Sequence, residues 1–448
     1  MCAIAGSPTK EETDEMLETM EYRGPDAVGT ASMDSYTVGM CRLTIIDTIS
    51  EGLCPYYEKG FVLVFNGEVY NYRELRRELE ALGYQFSTQS DTEVLMKSHI
   101  EWGVSMFDKL NWMGAFAILK KDGDLFLGRD LAGEKPLYYT MDETGFRFAS
   151  EAKALGFTCN EFPAASFGIY TASHNELHIK TWWNFTPTER DITLNEAVAE
   201  LDLLLEDAVK LRTRADVPYG LYFSGGIDST LISTYHDFDR KYSYKNGDYQ
   251  SEFLGNFKRI LYHLDFPVST FSPFGLWKLA QTANTDGTKV VLSGEGADEL
   301  FGGYVRFVTN EFNRKASVEF PSYKGLFPFK EDPYWDEFNG NMRELLRMGD
   351  RMASAWGVEN RCPFLDRRII EFAFSLPKHL KVDGFETKIV LKALLKKRMP
   401  SYEFGEKHGL YVPVNEWLGF DSKFGKNEYR EYQEKVWVEI TEEITHEA

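Results

Sequence analysis

Positive charge is scarce in this chain. Its 448 residues carry 50 Lys and Arg against 70 Asp and Glu, a formal net charge of −20. That balance speaks against sequence-independent binding of nucleic acid, which runs on clustered cations. Any phosphate held here would need backbone amides, a few lysines and Mg²⁺ as counter-charge. Cysteine is sparse too. Cys2, Cys41, Cys54, Cys159 and Cys362 are odd in number and include no CxxC pair. A disulfide framework or structural zinc site is therefore not expected, whereas a reduced, cytoplasmic setting is. No apolar run approaches the length of a membrane span, and no charged segment followed by an apolar one opens the chain as a signal peptide would. Histidine is missing from the first ninety residues, His99 being the first. That weakens any cysteine–histidine pair near the N-terminus.

What is present is apolar content, at 43%, and aromatic content, at 15%, enough for sizeable cores. The length suggests two or three domains. Up to about residue 185 the chain reads as β-rich with two helices. "FVLVFNGEVYN" (61–71) is a strand entering a turn, and "YRELRRELEALGY" (72–84) is an amphipathic helix ending at Gly83. "SDTEVLMKSHIEWG" (90–103) is a second helix with an Asp/Ser cap. "GAFAILKKDGDLFLGRD" and "PLYYTMDETGFRFASE" read as hairpins, the first turning at Asp122-Gly123. Such an order suggests an α+β sandwich of sheets covered by helices.

From Thr193 the texture changes. "TLNEAVAELDLLLEDAVKLRTRAD" is a long helix, and "VPYGLYF" (217–223) a strand opening into the Gly-rich "SGGIDS" (224–229). "KVVLSGEGADELFGG" (289–303) repeats strand, Gly-rich turn and helix. Two such units imply an α/β doubly wound parallel sheet with its ligands at the strand C-termini. The boundary falls near 185–192. At the chain's end Tyr429, Tyr432, Val436 and Ile440 stand at helical spacing, as a packed terminal helix requires.

The chemistry starts with Cys2. With Met1 removed, Cys2 carries a thiol and a free α-amine whose pKa near 7.7–8.0 suits a general base. Its thiol then needs no histidine. Acyl transfer also needs an oxyanion hole, which the Asn66 side-chain amide and the Gly67 N–H could supply; taken alone, the pair reads more readily as a turn. Arg42 could clamp a carboxylate. Asp91 could meet an ammonium or simply cap its helix. In the second half, "SGGIDS" offers N–H groups to an anion, with Ser224 and Ser229 as hydroxyl donors and Asp228 toward Mg²⁺; a tight turn explains the glycines alone. No Gly-Lys-Ser/Thr follows, so it is not a Walker A loop.

Cys2, "YRGPD" (22–26), "CRLTIID" (41–47), "FNGEVYNY" (65–72), "SDTEV" (90–94) and "GRDLAGEKPLYY" (128–139) occur in this order. The set resembles the class II glutamine amidotransferases, the N-terminal-nucleophile glutaminases, and more narrowly the glutaminase half of asparagine synthetases. The resemblance implies an αββα N-terminal-nucleophile domain over residues 2–187. Cys2 would attack the glutamine amide, and Asn66 and Gly67 would form the oxyanion hole. Arg42, the backbone of Leu43, Thr44, Ile45 and Ile46, Glu68 and Asp91 would hold the glutamine. Arg23 and Gly24 would lie in a loop closing over it.

"SGGIDS" is similar to the pyrophosphate loop of ATP pyrophosphatases. "SGEGADELFGGY" (293–304), "SAWGVENRCPFLD" (354–366) and "KHGLYVPVNEWL" (407–418) extend the likeness to the asparagine synthetase domain over 188–448. By that resemblance Tyr222, Ser224, Gly225, Gly226, Asp228, Ser229, Ser293 and Gly294 would contact ATP, and Asp228 and Asp298 would hold Mg²⁺. Glu295 would sit by the acyl-adenylate, and Lys388, a plain surface lysine by its local sequence, would neutralise the leaving pyrophosphate. Glutamine, aspartate and ATP are the implied substrates, with no nucleic acid or membrane partner; a homodimer is allowed. The family usually carries a longer insert where this chain is shortened between 230 and 290, with "YSY" (242–244) as the remnant of its adenine-reading strand. Two alternatives therefore stand: amidation of another carboxylate, on a sugar or peptide, or a glutaminase-competent regulatory protein. Retention of Ser224, Asp228, Glu295, Asp298 and Lys388 together speaks against the second.

Overall fold

A computed structural model describes all residues except 51–52, 246, 269, 310–331, 406–409, 411, 421–424 and 448. Lys407, His408, Gly409 and Tyr411 of the "KHGLYVPVNEWL" motif lie outside the described residues.

The first half folds as two stacked six-stranded sheets, every pairing antiparallel. In chain order the strands are β1 (Ala3–Ser7), β2 (Ala27–Met33), β3 (Tyr36–Arg42), β4 (Tyr56–Glu58), β5 (Phe61–Val69) and β6 (Trp112–Lys120). They continue with β7 (Leu125–Arg129), β8 (Tyr138–Asp142), β9 (Gly145–Ala149), β10 (Asn160–Glu161), β11 (Ser166–Thr171) and β12 (Glu176–Thr181). One sheet runs β10-β8-β9-β1-β3-β2, the other β12-β11-β7-β6-β5-β4.

Strand alternation explains the layering. Val62 and Val64 of β5 join Ile4, Val38 and Met40 in the core between the sheets. Leu63 and Phe65 point the other way, onto α2 (Tyr72–Ala81) and α3 (Asp91–Trp102). Ala3 and Ala5 point outward on the opposite sheet, under Met16 and Leu17 of α1 (Lys10–Thr19). The result is helix, sheet, sheet, helix. Helix α1 is a third helix where the sequence pattern suggests two. Its signal is a Thr9 side chain that caps Glu12 N, ahead of an acidic first turn.

The second half begins with α4 (Leu194–Arg212), where Thr193 and Glu196 form a reciprocal capping box. Its sheet holds β13 (Tyr219–Tyr222), β14 (Lys241–Tyr242), β15 (Val290–Leu292) and β16 (Glu359–Arg361), all parallel, in the order β14-β13-β15-β16. Only the first residue of "YSY" belongs to a strand, β14. Helix α5 (Ile227–Ser233) follows β13 after "SGG", with α6 (Gln250–Leu264) and α7 (Pro273–Thr285) next in the chain; α8 (Ala297–Phe301) follows β15 after "SGEG". The terminal helix Gly425–Glu447 buries Tyr429 and Ile440 against Phe253 and Phe257 of α6.

The halves meet across buried charge. Glu151 of the first takes Arg23 at 2.6 Å, Lys153, and Arg351 of the second at 3.0 Å. Asp265 takes Lys153 at 2.6 Å and Arg351 at 2.7 Å, and Asp350 takes Arg23 at 2.9 Å. Burial works against the charge on Glu151, but its three cations outweigh it and hold its carboxyl well below the usual range. Met1 is also buried here, among Tyr242, Leu279, Val291, Ala353 and Val358 of the second half.

Candidate active sites

Cys2 stands just before β1. Its Sγ accepts the Leu43 N–H at 3.4 Å, and its N donates to Asn66 Oδ1 at 3.1 Å. Burial pushes the thiol pKa up, while the nearby chain terminus pulls it down. The α-amine here belongs to Met1, and burial lowers its pKa to about 5. With Met1 in place, Cys2 N is a peptide amide.

Asn66 and Gly67 lie inside β5, which corrects their reading as a turn. What requires glycine at 67 is the neighbouring strand: a Cβ there would run into Met113 O and stand 2.5 Å from Gly114 Cα. With Oδ1 engaged by Cys2, Asn66 Nδ2 is buried and has no hydrogen-bond partner among the described residues. A donor beside a thiol, held ready and unused, is what an oxyanion hole needs.

The pocket at Cys2 is lined by Arg42, Leu43, Ile45, Ile46, Gly67, Glu68 and Asp91, and also by Glu359 from the second half. Arg42 is braced by the carbonyls of Ile46 and Asp47 at 3.0 and 3.1 Å. Asp91 is the first residue of α3, the cap being Ser90. It accepts the Val69 N–H at 2.9 Å, and burial raises its pKa to about 6. Glu68, whose pKa burial also raises, pairs with Arg361 at 2.7 Å. Thr44 does not line the pocket; its N–H goes to Asp26 Oδ2 at 2.7 Å. Arg23, expected in a closing loop, is instead fully buried, its Nε donating to Cys2 O at 2.9 Å. The ion pairs that surround it fix it behind the cysteine.

The second cluster lies where β13 and β15 end, at the point where the sheet order reverses. Ser224, Gly225 and Gly226 are exposed, with Ser224 Oγ 3.1 Å from Ser229 Oγ and accepting the Gly226 N–H. Gly294 packs on Asp228, since a Cβ there would lie 2.7 Å from Asp228 Cβ. Lys388 Nζ reaches Asp228 at 2.6 Å and Asp298 at 2.7 Å. Burial disfavours its charge, but the two aspartates outweigh burial and raise its pKa. The surface-lysine reading of Lys388 is thus replaced by a buried cation at the head of a helix, in left-handed backbone at φ 53°. Such strain persists only where surroundings impose it.

Ser293 Oγ lies 3.6 Å from Cys362 Sγ, and the half-buried Glu295 accepts from Asn360 Nδ2 at 2.8 Å. The Tyr222 hydroxyl is buried, with no partner among the described residues. Two carboxylates beside an exposed Gly-Ser loop suit Mg²⁺, which prefers one or two carboxylates plus substrate phosphates. No group of three or more His, Cys, Asp or Glu that could hold a metal occurs among the described residues. Glu359, Asn360 and Arg361 carry no assignment from sequence, because only the tertiary fold brings Glu359 and Arg361 to the first site and Asn360 to the second.

A stacked double sheet with a cysteine at its head, joined to a parallel sheet with Gly-rich turns at its switch point, defines a two-domain glutamine-dependent amidotransferase. The glutamine amidotransferase domain family matches residues 1–180, and the asparagine synthase family matches 200–245, 249–326 and 323–424. The chain is 31% identical to the glutamine-hydrolysing asparagine synthetase B of Escherichia coli (strain K12), covering 86% of this chain and 76% of that one. It is 27% identical to glutamine-hydrolysing asparagine synthetase 1 of Bacillus subtilis (97% and 90% covered) and 28% to that of Zea mays (97% and 78%). A solved glutamine phosphoribosylpyrophosphate amidotransferase from B. subtilis matches at TM-score 0.35 and 13% identity, over 66% of this chain and 82% of that one, too slight a likeness to bear on the fold. The chain belongs to the glutamine-hydrolysing asparagine synthetase family.

Proposed function

We propose that this chain makes asparagine from aspartate, using ammonia released from glutamine and energy from ATP. Removal of Met1 frees the Cys2 amine, which takes the thiol proton as Sγ attacks the glutamine side-chain carbonyl. Asn66 Nδ2 and the Gly67 N–H stabilise the oxyanion. Collapse expels NH₃ and leaves a thioester, which water hydrolyses to glutamate. At the second site the aspartate side-chain carboxylate attacks the α-phosphorus of ATP, giving β-aspartyl-AMP and pyrophosphate. Ammonia that has passed through the interior attacks this acyl group, Glu295 takes a proton, and AMP leaves. An interior route matters because ammonia in bulk water would be protonated and lose its nucleophilicity.

Lys388 neutralises the departing pyrophosphate, and the Ser224–Ser229 loop offers it N–H and hydroxyl donors. Asp228 and Asp298 would hold Mg²⁺, which supplies counter-charge to the phosphates. Five free cysteines fit a cytoplasmic setting, and no described helix is long and apolar enough to cross a membrane. A homodimer is compatible with this reading.

The observation that carries the proposal is Asn66, which holds Cys2 with one end of its amide and keeps the other buried and unpaired. The test is incubation with glutamine, aspartate, ATP and Mg²⁺, read by mass spectrometry. Asparagine, glutamate, AMP and pyrophosphate are expected. Glutamate with ATP untouched would overturn the synthetase half of the reading. AMP formed only with another carboxylate would reassign the acceptor.

A further inference from the structure

Strand β16 is three residues long and touches both sites. Alternation sends Glu359 and Arg361 to one side, where Glu359 lines the Cys2 pocket and Arg361 pairs with Glu68 of that pocket. Between them Asn360 turns to the other site and donates Nδ2 to Glu295 Oε2 at 2.8 Å. The strand is gripped from several directions. Asn360 pairs in register with Val291 of β15, and its carbonyl accepts Lys135 Nζ of the first half at 3.3 Å. Arg361 also donates to Glu359 at 2.8 Å and to the carbonyls of Arg212 and Arg214 at 3.1 and 2.7 Å.

The geometry leaves Asn360 one orientation. Turning its amide over would set Oδ1 against the Glu295 carboxylate, so Nδ2 faces Glu295, and Oδ1 is left buried without a partner among the described residues. Gly349 also borders this carboxylate: a Cβ there would lie 2.9 Å from Oε1 and 3.2 Å from Oε2, so a larger residue would push Glu295 from its place. The Cys362 thiol also donates to Oε2, at 3.5 Å; Ser293, Lys135 and Tyr222 face the same carboxylate, with Glu134 beyond the thiol.

We propose that Asn360 is a positioning residue for the synthetase step, fixing the Glu295 carboxylate through Oε2 and tying it, through β16, to the cysteine pocket. This rests on the proposed function, in which Glu295 receives a proton from attacking ammonia. A carboxylate meant to take that proton must be ionised and correctly aimed, and a hydrogen bond to its charged form serves both needs. Burial raises the Glu295 pKa to about 7, and hydrogen bonds from the Cys362 thiol and Asn360, with Lys135 and Ser293 behind them, oppose that rise.

The test is Asn360→Leu, of similar size but without a donor, assayed with ammonia from mildly acidic to mildly basic pH. Asparagine formation should fall roughly 10- to 100-fold, with KM for ATP nearly unchanged and the acidic limb of the rate profile moved to higher pH. Glutaminase turnover at Cys2 should persist, which shows the variant is folded, and Asn360→Ser should recover part of the rate. A second readout does not depend on catalysis. Difference infrared spectra against Glu295→Gln should show the Glu295 carboxyl titrating higher in Asn360→Leu than in the parent. An unchanged rate and profile, or an unchanged carboxyl titration, would overturn the assignment. A parent protein that forms no AMP would instead fail the functional reading, and the infrared titration would still decide the role of Asn360.

Discussion

The side-chain amide of Asn66 faces two ways, its oxygen on Cys2 N and its nitrogen unspent. Asn66→Ala should therefore lower glutaminase kcat by about 10²- to 10³-fold, the usual cost of one oxyanion donor, while ammonia-dependent synthesis continues. Cys2→Ala should abolish glutamine-dependent product and likewise spare the ammonia reaction. Loss of both activities would contradict two separate sites. Asp91 adds a pH dependence. Its folded pKa is raised to about 6 by burial, so it is ionised above that pH and neutral below. If its charge holds the glutamine ammonium, KM for glutamine should climb as pH falls through about 6, with kcat changing less; a flat KM would remove Asp91 from that role.

Elements differ in how openly the sequence announces them. Helix α4 was legible because Thr193 and Glu196 cap it reciprocally before a run of Leu, Val and Ala at helical spacing. Thr193→Ala should cost about 1 kcal/mol, seen as a lower urea midpoint with an unchanged slope. The Gly-rich turns after β13 and β15 were legible for a similar reason, since glycine, serine and aspartate there serve local needs. Helix α1 was not, because its buried residues are only Thr13, Met16 and Leu17 within an acidic stretch. Asn66-Gly67 looked like a turn because what demands glycine there is Met113 and Gly114 on the adjacent strand. Arg23 looked like a loop residue because its carboxylate partners, Glu151 and Asp350, are distant in sequence. Most pocket residues come from the first half; Glu359 arrives from the second, as does Arg361, which braces Glu68 from behind, and no local pattern marks either.

On the scale of the whole molecule the two halves share their charges. Glu151 alone faces Arg23, Lys153 and Arg351, all of them buried. Glu151→Ala would leave three buried cations to share only Asp265 and Asp350, one counter-charge short away from water, so a loss of about 3–5 kcal/mol is expected. Both activities should fall together with the thermal midpoint, whereas damage to a single site would spare the other. Met1 lies in the same seam, fully buried among side chains of the second half. That placement sets a timetable. A peptidase has no access to Met1 in this seat, so the cut proposed to arm Cys2 is expected before the halves close, on the growing chain. Protein that folds with Met1 attached should stay inert as a glutaminase when an aminopeptidase is added, and gain activity only if unfolded and refolded in its presence.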